Sequence, residues 1–382
     1  MSKKVTSKMG HMGRWVSNLA LILILALVLS ACVADTSVDA PDMGNEAETA
    51  QAEEDWEYYD LPEDCLAGEV YDEVDQLCYE ELVCDEDGVC EGDGWIDLFF
   101  ELAGVFLDVD LSEESENYDE FGEVPLVTYR VDGNRISDPE LGAASSDLVV
   151  FQEDTALHEK IWVYFATLFP AERRPYLSQY VIFTDGPENV LASVNPDPAD
   201  PTKWVLAVDP QDAADPTELT YTLIHEYAHL LTLNQAQVPP DMALALEPDN
   251  DELYDEAFNA CPTYFPGEGC ALDSSYIDDF VEQFWGDIYT EWEEIAYMED
   301  ETEAEDALYA FYEQYEDQFV SDYAPTSPEE DIAEAFSIFI MQPKPAGETI
   351  AEEKVLFFYD YPELVEQRAE LVSRLYSRLR RR

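Results

Sequence analysis

Short apolar runs and helical spacing divide the chain into two kinds of element. Three runs, at 126–131, 180–184 and 204–208, are rich in β-branched and aromatic residues, which predicts strands. Apolar residues recur at helical spacing over 153–169, and from residue 251 onward the pattern is mostly helical. The pattern therefore predicts an α+β domain at 126–382, with a small mixed sheet and a mostly helical C-terminal half.

The N-terminus has the pattern of an export signal. Four basic residues precede an unbroken apolar run at 19–29, which is too short to span a bilayer as a mature helix. The run ends in Leu29-Ser30-Ala31-Cys32, which resembles the bacterial lipobox. The resemblance implies a lipoprotein signal peptide at 1–31, lipidation of Cys32 and an extracytoplasmic place at the bacterial cell envelope. An ordinary secretory signal with a free thiol is the alternative.

Acidic and cysteine-rich segments separate this signal from the α+β domain. Residues 32–60 are acidic and lack periodicity, which predicts a disordered tether, and 95–125 predicts an acidic linker. Between them, 61–94 holds four clustered cysteines and predicts a small disulfide-rich module.

Cysteine counting supports export. Of seven cysteines, six remain once Cys32 is assigned to the lipid, and an even set in an exported chain indicates disulfides. Pairing of nearest neighbours gives Cys65–Cys78, Cys84–Cys90 and Cys261–Cys270. The clustered four allow three connectivities, and a second zinc site there is the rival interpretation.

The charge of the chain excludes one class of partner. The net charge is −69, and no Lys or Arg occurs between Lys203 and Lys344. Such a surface repels phosphate backbones, so nucleic-acid binding is excluded. Attraction of cationic substrates, binding of Ca²⁺ and solubility in high salt all stay open.

The strongest chemical motif is His225-Glu226-Tyr227-Ala228-His229, an H-E-x-x-H pattern inside a predicted helix. Histidines four apart lie on one helical face and can hold one Zn²⁺, and Glu226 is placed to take a proton from a water molecule. Asp215 and Pro216 predict the start of this helix.

The order of elements around the motif resembles the zincin arrangement, in which an edge strand lines the substrate cleft. The resemblance makes 204–208 the expected edge strand. His158, on the helix before the sheet, is expected to be a packed histidine and not a ligand.

A third protein ligand is needed, and two regions offer a carboxylate. Glu252 and Glu256 lie at roughly the spacing of a thermolysin-like site. The second region has Tyr323 seven residues before Glu330, which opens the pattern E-x-x-A-E-A-F. It resembles the second zinc motif of the anthrax lethal factor-like metallopeptidases.

This resemblance implies that Glu330 is the third zinc ligand and that Tyr323 stabilises the oxyanion. It also implies that Glu334 accepts a hydrogen bond from a ligand histidine. The alternative for Glu330 is a structural role at a helix start, with Ser327 as N-cap and Pro328 as first residue. The interval before Tyr323 is longer here than in that family and contains Cys261 and Cys270.

Together these features predict a membrane-anchored, extracytoplasmic zinc endopeptidase that acts on peptide or protein substrates. The alternative is a catalytically inactive zincin-like envelope lipoprotein that serves as a binding or structural module. Glu226 favours the enzyme, because a structural metal site has no need of a general base.

Overall fold

The computed structural model describes residues 69–72, 77–80, 124–185, 190–211, 213, 215–298 and 300–380. The expected signal peptide with Cys32, the tether, and three of the clustered cysteines (Cys65, Cys84 and Cys90) lie outside the described residues. Most of the expected acidic linker also lies outside them.

Seven strands form two sheets in the described residues. A two-stranded antiparallel sheet pairs β1 (Glu69–Asp72) with β2 (Leu77–Glu80). Cys78 on β2 is buried and disulfide-bonded. The larger sheet contains β3 (Val124–Asp132), β4 (Arg135–Leu141), β5 (Leu177–Thr184), β6 (Ala192–Asp197) and β7 (Asp200–Val208).

The five-stranded sheet is mixed and has the order β4-β3-β5-β7-β6. Only the β5–β7 pair is parallel, and the other neighbours are antiparallel. The expectation that 204–208 forms the edge strand is therefore wrong, because β7 lies between β5 and β6. The edge next to the motif helix is β6, whose Pro196 and polar residues conceal its strand character, and proline is tolerated at an edge.

Eleven α-helices occur in the described residues, and nine of them follow the sheet. The first two are α1 (Val149–Glu153) and α2 (Thr155–Leu168). The others are α3 (Pro216–Thr232), α4 (Met242–Leu246), α5 (Asp251–Ala260), α6 (Tyr276–Phe284), α7 (Tyr289–Ala296), α8 (Glu301–Gln314), α9 (Pro328–Met341), α10 (Ile350–Phe357) and α11 (Pro362–Arg380). The prediction of an α+β chain with a helical C-terminal half is confirmed. No helix among these is both long and apolar enough to cross a membrane.

The packing of α3 against α9 organises the core around the motif. Tyr227 of α3 is buried and stacks on Phe169, with ring centroids 3.8 Å apart. On its other side it meets Phe336 of α9 at 6.1 Å. Tyr227 and Phe336 therefore pack α3 against α9, and burial of their large apolar rings stabilises this contact.

Helix α9 is also tied to its outer neighbours by a buried ion pair. Lys354 Nζ of α10 lies 2.6 Å from Asp331 Oδ2, and neither side chain is exposed. Trp285 Nε1 donates to the same oxygen at 2.8 Å. The lysine also sits 4.1 Å from the ring centroid of Phe319. Two charges buried this deeply require each other, since either one alone would be desolvated without compensation.

Two smaller sequence expectations are confirmed. His158 is fully buried, with Nδ1 2.9 Å from the Tyr129 hydroxyl and Nε2 2.7 Å from the Phe151 carbonyl, so it is a packed histidine. Cys261 and Cys270 form a disulfide with Cα atoms 5.4 Å apart, which closes the loop between α5 and α6.

Candidate metal centre

The first side of the site is built by α3. Asp215 caps this helix by accepting hydrogen bonds from the backbone N–H groups of Thr217 and Glu218, and Pro216 is its first residue, as predicted. His225 and His229 lie one turn apart on the helix. Their rings meet edge to face, with centroids 4.8 Å apart, and both Nε2 atoms point to one location.

The second side is the start of α9. Ser327 Oγ accepts from the Glu330 backbone N–H at 3.2 Å, and Pro328 opens the helix. The Glu330 side chain turns to the histidines of α3, with Oε2 2.9 Å from His225 Nε2 and 3.3 Å from His229 Nε2. Glu330 therefore both lies at a capped helix start and faces the two histidines.

The three residues form a triangle of potential ligand atoms. The third edge of the triangle joins the two histidine Nε2 atoms, which are 3.1 Å apart. A tetrahedral zinc ion with bonds of about 2.0–2.1 Å would place its ligands about 3.3 Å from one another. His225, His229 and Glu330 could thus hold a metal ion. Glu252 and Glu256 lie on the exposed face of α5 and do not belong to this group.

Glu334 is hydrogen-bonded to the His225 ring on the side that faces away from Glu330. Its Oε1 lies 2.8 Å from His225 Nδ1. Its Oε2 accepts hydrogen bonds from the Tyr221 hydroxyl at 2.8 Å and from Ser321 Oγ at 2.5 Å. Burial opposes the charged imidazole, but Glu330 and Glu334 outweigh it and hold the pKa of His225 well above its usual range. The same contacts keep the pKa of Glu334 low despite its burial.

Sequence reasoning missed Tyr221 and Ser321. Tyr221 precedes His225 by one helical turn, so its position on the same face of α3 as His225 could have indicated it. Ser321 lies on the approach to Tyr323, and no signal in the sequence marks it.

Glu226 lies between the triad and the edge strand. It is buried, and burial raises the pKa of its carboxyl to about 7 although the neighbouring histidines oppose this. A hydrogen bond from the backbone of Val194 on β6 reaches the carboxylate. The carboxylate is therefore positioned where the strand, the helix and the triad meet.

Tyr323 closes the site from the turn before α9. Its ring centroid lies 5.9 Å from that of His225, and its hydroxyl is hydrogen-bonded to Glu330. Burial raises the pKa of this phenol, and the carboxylates of Glu330, Glu226 and Glu334 raise it further. The phenol is neutral at pH 7 and can act as a hydrogen-bond donor.

An open cleft runs beside the triad. Its floor includes His229, Glu330 and Tyr323, and one wall is the edge strand at Val194 to Pro196. The opposite wall comes from α5, α7 and the disulfide-closed loop at 261–270.

Comparisons of this chain with protein-family models, with curated proteins and with solved structures found no match.

Proposed function

We propose that this protein is a zinc-dependent endopeptidase with a zincin-like catalytic domain. The observation that carries the proposal is the convergence of His225, His229 and Glu330 at mutual distances of 2.9–3.3 Å, with Glu226 beside them. Two helices capped independently bring these groups together, and the edge strand β6 supplies the wall along which a zincin binds its substrate.

The donor set fits a divalent cation. Glu334 accepts from His225 Nδ1, so Nε2 is the ring atom that faces Glu330, 2.9 Å away. Without a metal ion the raised pKa of His225 keeps a proton on Nε2, and this proton lies between the two atoms. A divalent cation would displace the proton and bind both the Nε2 lone pair and the carboxylate. A set of two imidazoles and one carboxylate is that of catalytic zinc sites, which keep a fourth position for water or substrate.

Each residue of the site has a different role in the proposed hydrolysis. A zinc ion held by the triad would supply Lewis acidity to a water molecule and to the peptide carbonyl. Glu226 accepts the proton of the attacking water and delivers it to the leaving nitrogen. Tyr323 donates a hydrogen bond to the oxygen that becomes negatively charged. Glu334 fixes the tautomer and orientation of His225.

Metal analysis combined with matched variants tests this assignment. Glu226→Gln removes the base without removing a ligand, so we expect zinc to remain while peptide cleavage is lost. Glu330→Ala is expected to lose zinc. Glu256→Ala removes a carboxylate from the exposed face of α5 and is expected to retain both zinc and cleavage.

Three outcomes would contradict these assignments. If Glu226→Gln cleaved peptides as the wild type does, the catalytic proposal would be wrong. If Glu256→Ala lost zinc and Glu330→Ala kept it, the ligand assignment would be wrong. A wild-type protein that binds zinc but cleaves no member of a peptide library would instead be the inactive envelope module.

The lipobox resemblance extends the proposal to location. We propose that the mature chain begins at Cys32 and is anchored to the cell envelope by a lipid on its thiol, with 61–94 as a disulfide-rich module. The disulfide at Cys78 supports such a module. Cys32→Ser is expected to leave the protein unprocessed or release it from membranes. An unmodified Cys32 thiol on free wild-type protein would contradict the anchor.

A further inference from the structure

The cleft beside the triad is lined by side chains that the proposed peptide hydrolysis itself does not require. Aromatic rings from α5, α7 and the loop at 261–270 line it, among them Tyr254, Phe265, Tyr289 and Trp292. Glutamates also line it, and within the described residues no lysine or arginine does. The pocket therefore presents aromatic faces and negative charge together.

Two of the glutamates lie next to these aromatic residues. Glu329 precedes the ligand Glu330, yet its carboxylate turns to the other side, where the Tyr264 hydroxyl donates to Oε1 at 2.7 Å. Glu293 is half-buried on α7, where it directly follows Trp292 and lies one turn after Tyr289; the rings of these two residues are 5.4 Å apart. Both carboxylates line the cleft that a substrate would fill.

Filling this cleft has different consequences for different side chains. An apolar side chain would remove water from the Glu293 and Glu329 carboxylates and would offer neither a charge nor a hydrogen bond in its place, although Glu329 would keep its hydrogen bond from Tyr264. A cationic side chain would pair with them and lie on the faces of Tyr289 and Trp292, where the ring quadrupoles attract positive charge. The long methylene stem of lysine or arginine also matches the apolar part of the walls.

We propose that the cleft binds the cationic side chain of a lysine or arginine that lies next to the scissile bond of a peptide substrate. This inference rests on the proposed endopeptidase function. It assigns Glu293 and Glu329 as residues that determine specificity, separate from the groups that hold the metal or transfer protons.

A matched peptide series tests the preference with the zinc-loaded wild-type protein. Peptides cleaved by the protein are resynthesised with arginine, lysine, citrulline, norleucine or phenylalanine on each side of the cleaved bond. Citrulline has nearly the shape of arginine without its charge. We expect kcat/KM to fall on the order of tenfold when citrulline replaces arginine at one of the two positions.

The variant Glu293→Gln tests the contribution of one cleft carboxylate to the preference for a cationic side chain. We expect this variant to reduce the ratio of the arginine to the citrulline rate to near one. Glu294→Gln is the matched control, because it removes the same charge from the next residue of α7, which is exposed and does not line the cleft. The control should keep the wild-type ratio, which excludes a general effect of surface charge.

The outcomes separate this inference from the function on which it rests. Absence of any peptide cleavage would overturn the endopeptidase, whereas cleavage with equal rates for arginine and citrulline would overturn only the cationic subsite. Faster cleavage of the norleucine or phenylalanine peptides would show an apolar subsite and would also overturn it. Calorimetry with Glu226→Gln and intact peptides gives a second readout, in which arginine should bind more tightly than citrulline.

Discussion

Glu334 Oε1 lies 2.8 Å from His225 Nδ1, on the opposite edge of the imidazole from the Nε2 atom that faces Glu330. One carboxylate of α9 thus orients the ring, and the other, one turn earlier, lies with it in the triad. The spacing of Glu330 and Glu334 along α9 therefore determines the angle at which His225 enters the site.

Loss of this support should weaken the metal site without removing a ligand. We expect Glu334→Ala to reduce zinc affinity by roughly 10–100-fold, because the ring loses its orientation and the basicity supplied by the carboxylate. Titration against a chelator of known affinity measures the change. Glu334→Gln keeps an acceptor oxygen and should lose less, and equal affinity in wild type and Glu334→Ala would exclude the role.

Tyr323→Phe tests the phenol as an oxyanion donor. We expect turnover to fall by roughly 10²–10³-fold while zinc content and substrate affinity stay at wild-type levels, since only the hydroxyl is removed. Single-turnover kinetics with metal analysis on the same sample measure both. A variant that cleaves at the wild-type rate would assign the tyrosine to the cleft wall alone.

The ion pair behind α9 makes a separate prediction about stability. Lys354→Met leaves the Asp331 carboxylate buried without its counter-charge, and we expect the free energy of unfolding to fall by about 3–5 kcal/mol. Urea denaturation measures this loss. The double variant Asp331→Asn with Lys354→Met should recover part of it, and additive losses would show that the two side chains do not interact.

Asp209, at the end of β7, predicts a dependence of stability on pH. Burial raises the pKa of its carboxyl from 3.8 to about 6, against the hydrogen bonds that it accepts. The folded protein therefore keeps this proton to a higher pH than the unfolded chain does. Between about pH 4 and 6 the free energy of unfolding should fall as pH rises, by up to about 3 kcal/mol from this group.

Comparison with Asp209→Asn isolates the contribution of this residue, because all other carboxylates are common to both proteins. Denaturation curves at several pH values should show a shallower decline for the variant between pH 4 and 6. Parallel curves would place the folded pKa of Asp209 near its ordinary value.

The elements that the sequence predicted best are those with local signals. Asp215 and Ser327 cap their helices through their own side chains, so the starts of α3 and α9 follow from nearest neighbours. His225 and His229 share a face because of the helical repeat alone. The site required more, because Glu330 meets them only through the packing of α9 on α3.

The features that the sequence did not reveal depend on tertiary contacts. Strand β6 carries proline and polar residues and owes its position to pairing with β7, so its role as the edge next to Glu226 could not be predicted. The partnership of Asp331 with Lys354 joins residues of different helices, and no local pattern specifies it.

The disulfide between Cys261 and Cys270 closes a loop beside the cleft and lies apart from the three residues that could hold a metal. It closes the loop that carries Tyr264, the residue that holds Glu329 in the cleft wall, whereas every member of the triad lies on α3 or α9. Under the proposed function, metal binding would therefore not require this bond, whereas the order of the cleft wall would. We expect a chain that has acquired its metal but not this bond to carry an intact reaction centre behind a loosened wall. In the proposed enzyme, oxidation of this cysteine pair would influence which peptides fit the cleft, and metal binding would determine whether those peptides are cleaved.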